Sequence, residues 1–330
     1  MSWIPQLDAL ASHIVSQWLY RWLPLPQFFP SQEAKIRLAP EQLSFQDIHD
    51  YLLQRSDPRW PELPWLHAVE RHQISWLVLA TLIYENIQEL YARGGILLDF
   101  YHEAYPALLR SIADPPNALS VMGSLQLLTY PSIAMVGSRK ASPWALGQSE
   151  KLAHALASQG CVIVSGGALG CDMAAHRGAL ASELHPAPTI IVFAGGLAQL
   201  YPKCHRPLFD LLQAEGALLV SERLWQYPAR PVDFPARNRI ISGLSRRTLV
   251  MQAAEKSGAR LTAGYALDQG RDVMVLAHPP HDVRATGSRI LIEDGAQAFS
   301  SSEDCLEILA LHDLEVTIVP RGSKNPGKSV

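Results

Sequence analysis

Ile133-Ala-Met-Val-Gly-Ser-Arg139 and, further along, Cys161-Val-Ile-Val-Ser-Gly-Gly-Ala-Leu-Gly-Cys-Asp172 follow the same plan. Each is a short apolar, β-rich run that ends in small residues and then opens a helix, with Ser142-Pro143 as the helix start after the first. Working outward, similar runs occur at Thr189–Phe193, Ala217–Val220, Thr248–Met251 and Val273–Leu276. Between them lie helix-like segments at Trp144–Gln159, Met173–Ala181, Pro207–Ala214 and Leu261–Gln269. Most of the runs are 20 to 30 residues apart, the rhythm of βαβ units. The fold class is therefore α/β, with a mainly parallel, doubly wound sheet covered by helices.

Upstream the character of the chain changes. The first of 21 glycines is Gly94, and six of eight tryptophans precede it, so 1–93 reads as a small helical domain. Residues 94–312 form the sheet domain, and 313–330 a polar, flexible tail. With 48 % hydrophobic and 18 % charged residues among 330, the composition suits a globular protein and excludes a disordered one. The longest strongly apolar stretch, Ile74–Ile83, is far short of the roughly 20 residues a membrane span needs, so no membrane partner is expected. The N-terminus lacks the pattern of a signal peptide, and Cys161, Cys171, Cys204 and Cys305 show no paired spacing. Both features fit reduced thiols in a cytoplasmic protein.

The two small-residue turns carry the chemistry. A helix N-terminus offers unpaired N–H groups and the positive end of its dipole, and glycine lets phosphate oxygens approach the backbone. Gly137 and Ser138 in the first turn, and Ser165, Gly166, Gly167 and Gly170 in the second, are candidate phosphate-binding residues, with Arg139 adding charge. The plainer reading of these glycines is tight strand–helix packing. The second turn reads Ser-x-Gly-x-x-Gly, and no acidic residue ends a strand about 20 residues on, where a dinucleotide ribose would need one. Arg237, Asn238 and Arg239 stand in an apolar frame, where buried guanidinium groups need an anion. Lys203 and the Ser257-Gly258 turn are further candidates. The net charge is −3 overall, which excludes a uniformly basic coat, yet 201–247 carries +4 and 1–110 carries −4. There is no hydrolase elbow, P-loop or zinc spacing; Cys171 and His176 read as packing and Asp172 as a helix cap. No catalytic residue, cofactor or metal is expected.

Taken in order, Val136-Gly-Ser-Arg139, Ser165-Gly-Gly-Ala-Leu-Gly-Cys-Asp172 with Ala175-His176-Arg-Gly-Ala-Leu180, Tyr201-Pro202, Phe234-Pro-Ala-Arg-Asn-Arg-Ile-Ile-Ser-Gly-Leu-Ser245, Ser257-Gly258 with Thr262-Ala263, and Gly270-Arg271 resemble the bacterial DNA-processing protein A (DprA/Smf) family. The resemblance spans about residues 100–312, and its arginine-rich block is the most specific part. It implies an extended Rossmann fold without enzymatic activity. Such a protein binds single-stranded DNA, passes it to the RecA recombinase in natural transformation, and forms a homodimer. It also implies a DNA pocket built from Arg139, the Ser165–Gly170 turn, Lys203 and Arg237-Asn238-Arg239. The chain departs from the family pattern at Leu169, where arginine is common, at His205, where asparagine is common, and at Gln252, where an acid is usual. It departs again at Ala277-His-Pro-Pro280, and it resembles the family in neither a helix-hairpin-helix module nor a winged helix. The alternatives are a nucleotide-binding sensor or phosphoribohydrolase-like enzyme on the same loops, and a protein-interaction scaffold.

Overall fold

The computed structural model describes residues 76–309, except Tyr101 and Glu183, together with Val319–Pro320. The expected helical segment over 1–93 lies outside the described residues except for its last helix, α1 (Trp76–Ala92). That helix does not stand apart: Ile83, Ile87 and Leu90 are buried in one cluster with Leu97, Met122, Ile191 and Leu219 of the sheet. Of the expected tail, Val319–Pro320 pairs antiparallel with Leu184–His185 (β5); the rest lies outside the described residues.

The main sheet has nine strands in the order β1-β2-β7-β6-β4-β3-β8-β9-β10. These are β1 (Ile96–Asp99), β2 (Ala118–Met122), β3 (Ser132–Gly137), β4 (Val162–Gly166), β6 (Thr189–Phe193), β7 (Leu218–Ser221), β8 (Arg247–Gln252), β9 (Asp272–Leu276) and β10 (Gln297–Phe299). From β7 to β10 every pairing is parallel, and β1 and β2 add an antiparallel edge. The mainly parallel, doubly wound expectation therefore holds, with an antiparallel edge that lies outside the six apolar runs. Sidedness follows from strand alternation. Ile133 and Met135 face a core with α3 (Pro143–Ser158), α4 (Cys171–Leu180) and α9 (Ser302–Leu309). Ala134 and Val136 face the opposite core with α6 (Asp233–Gly243) and α7 (Gly258–Asp268). Two further helices, α5 (Arg206–Ala214) and α8 (Thr286–Glu293), and a short one, α2 (Ala107–Arg110), complete the cover.

After β3 the chain winds one way through β4, β6 and β7, then returns to lay β8, β9 and β10 on the other side of β3. The switch point thus lies between β3 and β8. Helices leave on opposite faces there, so a crevice opens beyond the strand C-termini, the usual ligand position in such sheets. All four cysteines are free, with Cys161, Cys171 and Cys305 buried. Among the described residues no helix is long and apolar enough to cross a membrane.

Candidate functional site

The crevice at the switch point is a cleft of about 880 Å³. Much of its lining comes from three places: the β3 turn (Gly137, Ser138, Arg139, Lys140), the first turns of α6 (Phe234, Arg237, Asn238), and the turn into α7 (Lys256, Ser257, Gly258); Asp172, Tyr201 and Arg284 add to it. A niche of about 40 Å³, floored by Phe193 and Gly167, opens beside it and shares Arg139, Tyr201, Phe234 and Arg237.

Glycine is required where backbones press together. Gly170 caps α4 with φ +82°, and a Cβ there would collide with the Ser138 carbonyl of the neighbouring turn. A Cβ on Gly166 would run into the guanidinium of Arg237, which lies across the end of β4. Glycine at these two positions therefore lets the two turns and one arginine share a single floor.

Arg237 is buried, donates from Nη1 to the Val192 carbonyl and from Nε to Asn238 Oδ1 (3.3 Å), and lines the cleft. Beneath it sits the buried carboxyl of Asp172, the one acid in the lining. Burial pushes the Asp172 pKa up to about 7, against the opposing pull of Arg237, the Ala168 N–H, Arg139 and Ser165. Burial likewise pushes Arg237 down to about 10, while Asp172 resists that shift. Asn238 donates to the Gly258 carbonyl (3.3 Å), so it ties Arg237 to the α7 turn. Arg139 is exposed, its guanidinium carbon 5.3 Å from the Phe234 ring centroid, and Tyr201 meets Phe234 edge-on at 5.8 Å. Cation, half-buried ring and exposed Tyr201 ring thus form one wall.

Several expected site residues also hold the scaffold together. Ser165 is buried and donates to the Met135 carbonyl. The Ser257 hydroxyl caps α7, accepting from the Arg260 N–H, and the Ser138 hydroxyl accepts from the Lys140 N–H (3.1 Å). Asp172 is not the α4 cap, a position held by Gly170; its carboxyl lies under the turn. Lys203 is exposed on a 3₁₀ turn, and only Tyr201 and Pro202 of its segment line the cavities. His176 is buried packing as expected, held neutral by burial with a pKa of about 4. Its Nε2–H donates to the Gly166 carbonyl (2.9 Å), and Nδ1 accepts from Thr189 (2.7 Å).

Arg239 needs correction. Residues 233–243 form a helix, so positions two apart point to nearly opposite sides. Arg237 faces the cleft, whereas Arg239 turns away and is neutralised by Glu222 through Nη1 (2.9 Å) and Nη2 (2.6 Å) and by Asp114 through Nε (2.9 Å). With Arg239 and Glu222 only 11 % and 17 % exposed, Arg239→Met is expected to destabilise the fold by roughly 2 kcal/mol. Thermal unfolding checks this: Tm should fall while ligand affinity per folded molecule stays the same. Sequence reasoning also left out Lys140, Lys256, Phe234 and Arg284, all of which line the cleft. The first three adjoin chosen residues or stand in a quoted motif, so adjacency was the available signal. Among the described residues no group of three or more His, Cys, Asp or Glu side chains is placed to hold a metal.

Fold and site together define a Rossmann-like α/β protein with a cation-rimmed cleft at its switch point. Residues 97–310 match the family model for DNA recombination-mediator protein A, and the chain belongs to that family, the DprA/Smf proteins. It is 35 % identical over 266 residues to DNA processing protein DprA of Bacillus subtilis, covering 77 % of this chain and 87 % of that one. The solved structure of DNA processing protein A from Streptococcus pneumoniae is similar with a TM-score of 0.61 and 31 % identity, over 80 % of this chain and 93 % of that one. The Helicobacter pylori structure, described for its single-stranded DNA binding mode, is similar with a TM-score of 0.59 and 30 % identity, over 66 % and 95 %. The chain spans about half the length of the Smf relatives it matches in Escherichia coli (54 %) and Synechocystis (52 %).

Proposed function

We propose that the cleft binds the sugar–phosphate backbone of single-stranded DNA, as a binding protein rather than an enzyme. One observation carries this reading. Arg139, Lys140, Lys256 and Arg284 rim a cleft whose lining, among the described residues, holds a single acid, the buried Asp172, and none of these four cations forms an ion pair with another described residue. By contrast Arg223, Arg230, Arg239 and Arg247 are all matched to carboxylates. The exposed ring of Tyr201, beside Phe234 and Arg139, suits an unstacked base, which every sequence provides. The related Helicobacter pylori protein, whose structure is described for single-stranded DNA binding, supports the same choice of ligand. We extend the proposal to a cytoplasmic homodimer that passes the strand to the RecA recombinase, in keeping with the family resemblance.

The test is a titration of labelled oligo-dT over a range of salt, with duplex DNA and free AMP or NAD as competitors. For single strands the logarithm of affinity falls by ~0.7 per tenfold rise in salt for each phosphate neutralised. Arg139→Ala is expected to reduce that slope by ~0.7, because one cation leaves the rim. Binding that is indifferent to salt, or equal competition by free nucleotide, overturns the reading. Release of base from AMP or NAD would favour a phosphoribohydrolase-like enzyme instead.

A further inference from the structure

The two sides of the cleft are held by one side chain. Gln252, the last residue of β8, is completely buried. Its backbone carbonyl accepts from the Ser138 N–H (2.8 Å), and its Oε1 accepts from the Ser142 N–H (2.8 Å). These two bonds bracket Arg139 and Lys140. On its other side, Gln252 Nε2 donates to Asp282 Oδ2 (2.8 Å). Asp282 caps the short 3₁₀ turn Val283–Ala285, accepting from the Arg284 N–H through Oδ1 (3.0 Å). His278 lies beside this contact: Nε2 donates to the Met251 carbonyl (2.7 Å), which leaves Nδ1 an acceptor 3.5 Å from Gln252 Nε2, and burial lowers the ring's pKa. Arg284 is exposed and lines the cleft, and among the described residues its guanidinium is in no ion pair.

We propose that Arg284 is a phosphate contact on the far rim of the cleft, and that Gln252 is the positioning residue that sets the Arg139–Lys140 loop and the Arg284 turn at one fixed separation. This inference rests on the reading of the cleft as a single-strand site. A preset spacing between cations lowers the ordering cost of engaging successive phosphates. Gln252 suits this task because its amide accepts on one side and donates on the other, and because burial denies it water as an alternative partner. A glutamate at 252 still accepts from Ser142 but sets a second carboxylate against Asp282 and releases the Arg284 turn.

The experiment measures oligo-dT affinity and its salt dependence for the full-length protein and three variants, with thermal unfolding recorded in parallel. Arg284→Ala should lower affinity several-fold and reduce the salt slope by ~0.7. Gln252→Glu should do the same or more. The double variant Gln252→Glu/Asp282→Asn exchanges donor and acceptor across the contact and should recover the parent slope. An unchanged slope in Arg284→Ala overturns the far-rim contact. An unchanged slope in Gln252→Glu, or a double variant as weak as the single, overturns the positioning role. A parent protein that fails to bind the oligonucleotide at all sinks the single-strand reading itself, a result distinct from the other two.

Discussion

Arg237→Ala is expected to weaken oligonucleotide binding by roughly 10- to 100-fold, the loss that follows when hydrogen bonds from a charged donor, worth about 1.5–3 kcal/mol, disappear. Arg237 stands on the floor of the cleft rather than its rim, so it meets a bound phosphate where water is scarce. Its bonds to the Val192 carbonyl and to Asn238 use Nη1 and Nε, and among the described residues Nη2 makes none. An anion in the cleft completes the fork. The same side chain rests on Gly166, so its removal also loosens the end of β4. Arg237→Lys keeps a charge but not the planar fork, and should recover little of the loss. The measurement is affinity at moderate salt, with circular dichroism to confirm the fold. Unchanged affinity would remove the floor of the cleft from any account of binding.

Arg237 and Arg239 also show why part of the site was legible in the sequence and part was not. The strands were readable because buried parallel strands are continuous apolar runs: Thr189–Phe193 is observed with the same ends, and the other five differ by a few residues. The turns after β3 and β4 were readable because small residues gather where backbones approach. Helix α6 was not, because polar side chains fill its first turns: Asp233, Arg237, Asn238 and Arg239 are all buried, and the apolar Ile240 and Ile241 come only toward its end. Without the helix, Arg237 and Arg239 appeared to serve one anion, and only the 3.6-residue repeat parts them. The antiparallel edge escaped for a different reason. β1 (Ile-Leu-Leu-Asp) and β2 (Ala-Leu-Ser-Val-Met) hold one β-branched residue each, Ile96 and Val121. Arg284 lay beyond reach as well, since its place depends on a contact between Gln252 and Asp282, thirty positions apart.

Asp172 makes the binding itself sensitive to pH. Its carboxyl has a pKa near 7 in the folded protein, against 3.8 when unperturbed, because burial penalises the charge more than Arg237 and the Ala168 N–H favour it. The folded state therefore holds a proton that the unfolded chain releases, and this group's contribution to stability declines as pH rises from about 4 to about 7. A phosphate in the cleft adds negative charge beside the same carboxyl and raises its pKa further. Binding then takes up a proton above neutrality. Affinity should be level below about pH 6 and should fall as pH rises through 7, by up to about tenfold per pH unit for one linked proton. Nearby groups do not mimic this, since His176 stays neutral down to about pH 4 and Cys171 stays protonated up to about pH 12. Asp172→Asn keeps an oxygen for the Ala168 N–H and removes the titration, so its affinity should equal the parent's at pH 6 and exceed it at pH 8. Calorimetry in two buffers of different ionisation enthalpy measures the proton directly: uptake by the parent at pH 8, none by the variant. Equal pH profiles for the two proteins would mean that the carboxyl under Arg237 is insulated from the ligand, and that the phosphate sits on the rim cations alone.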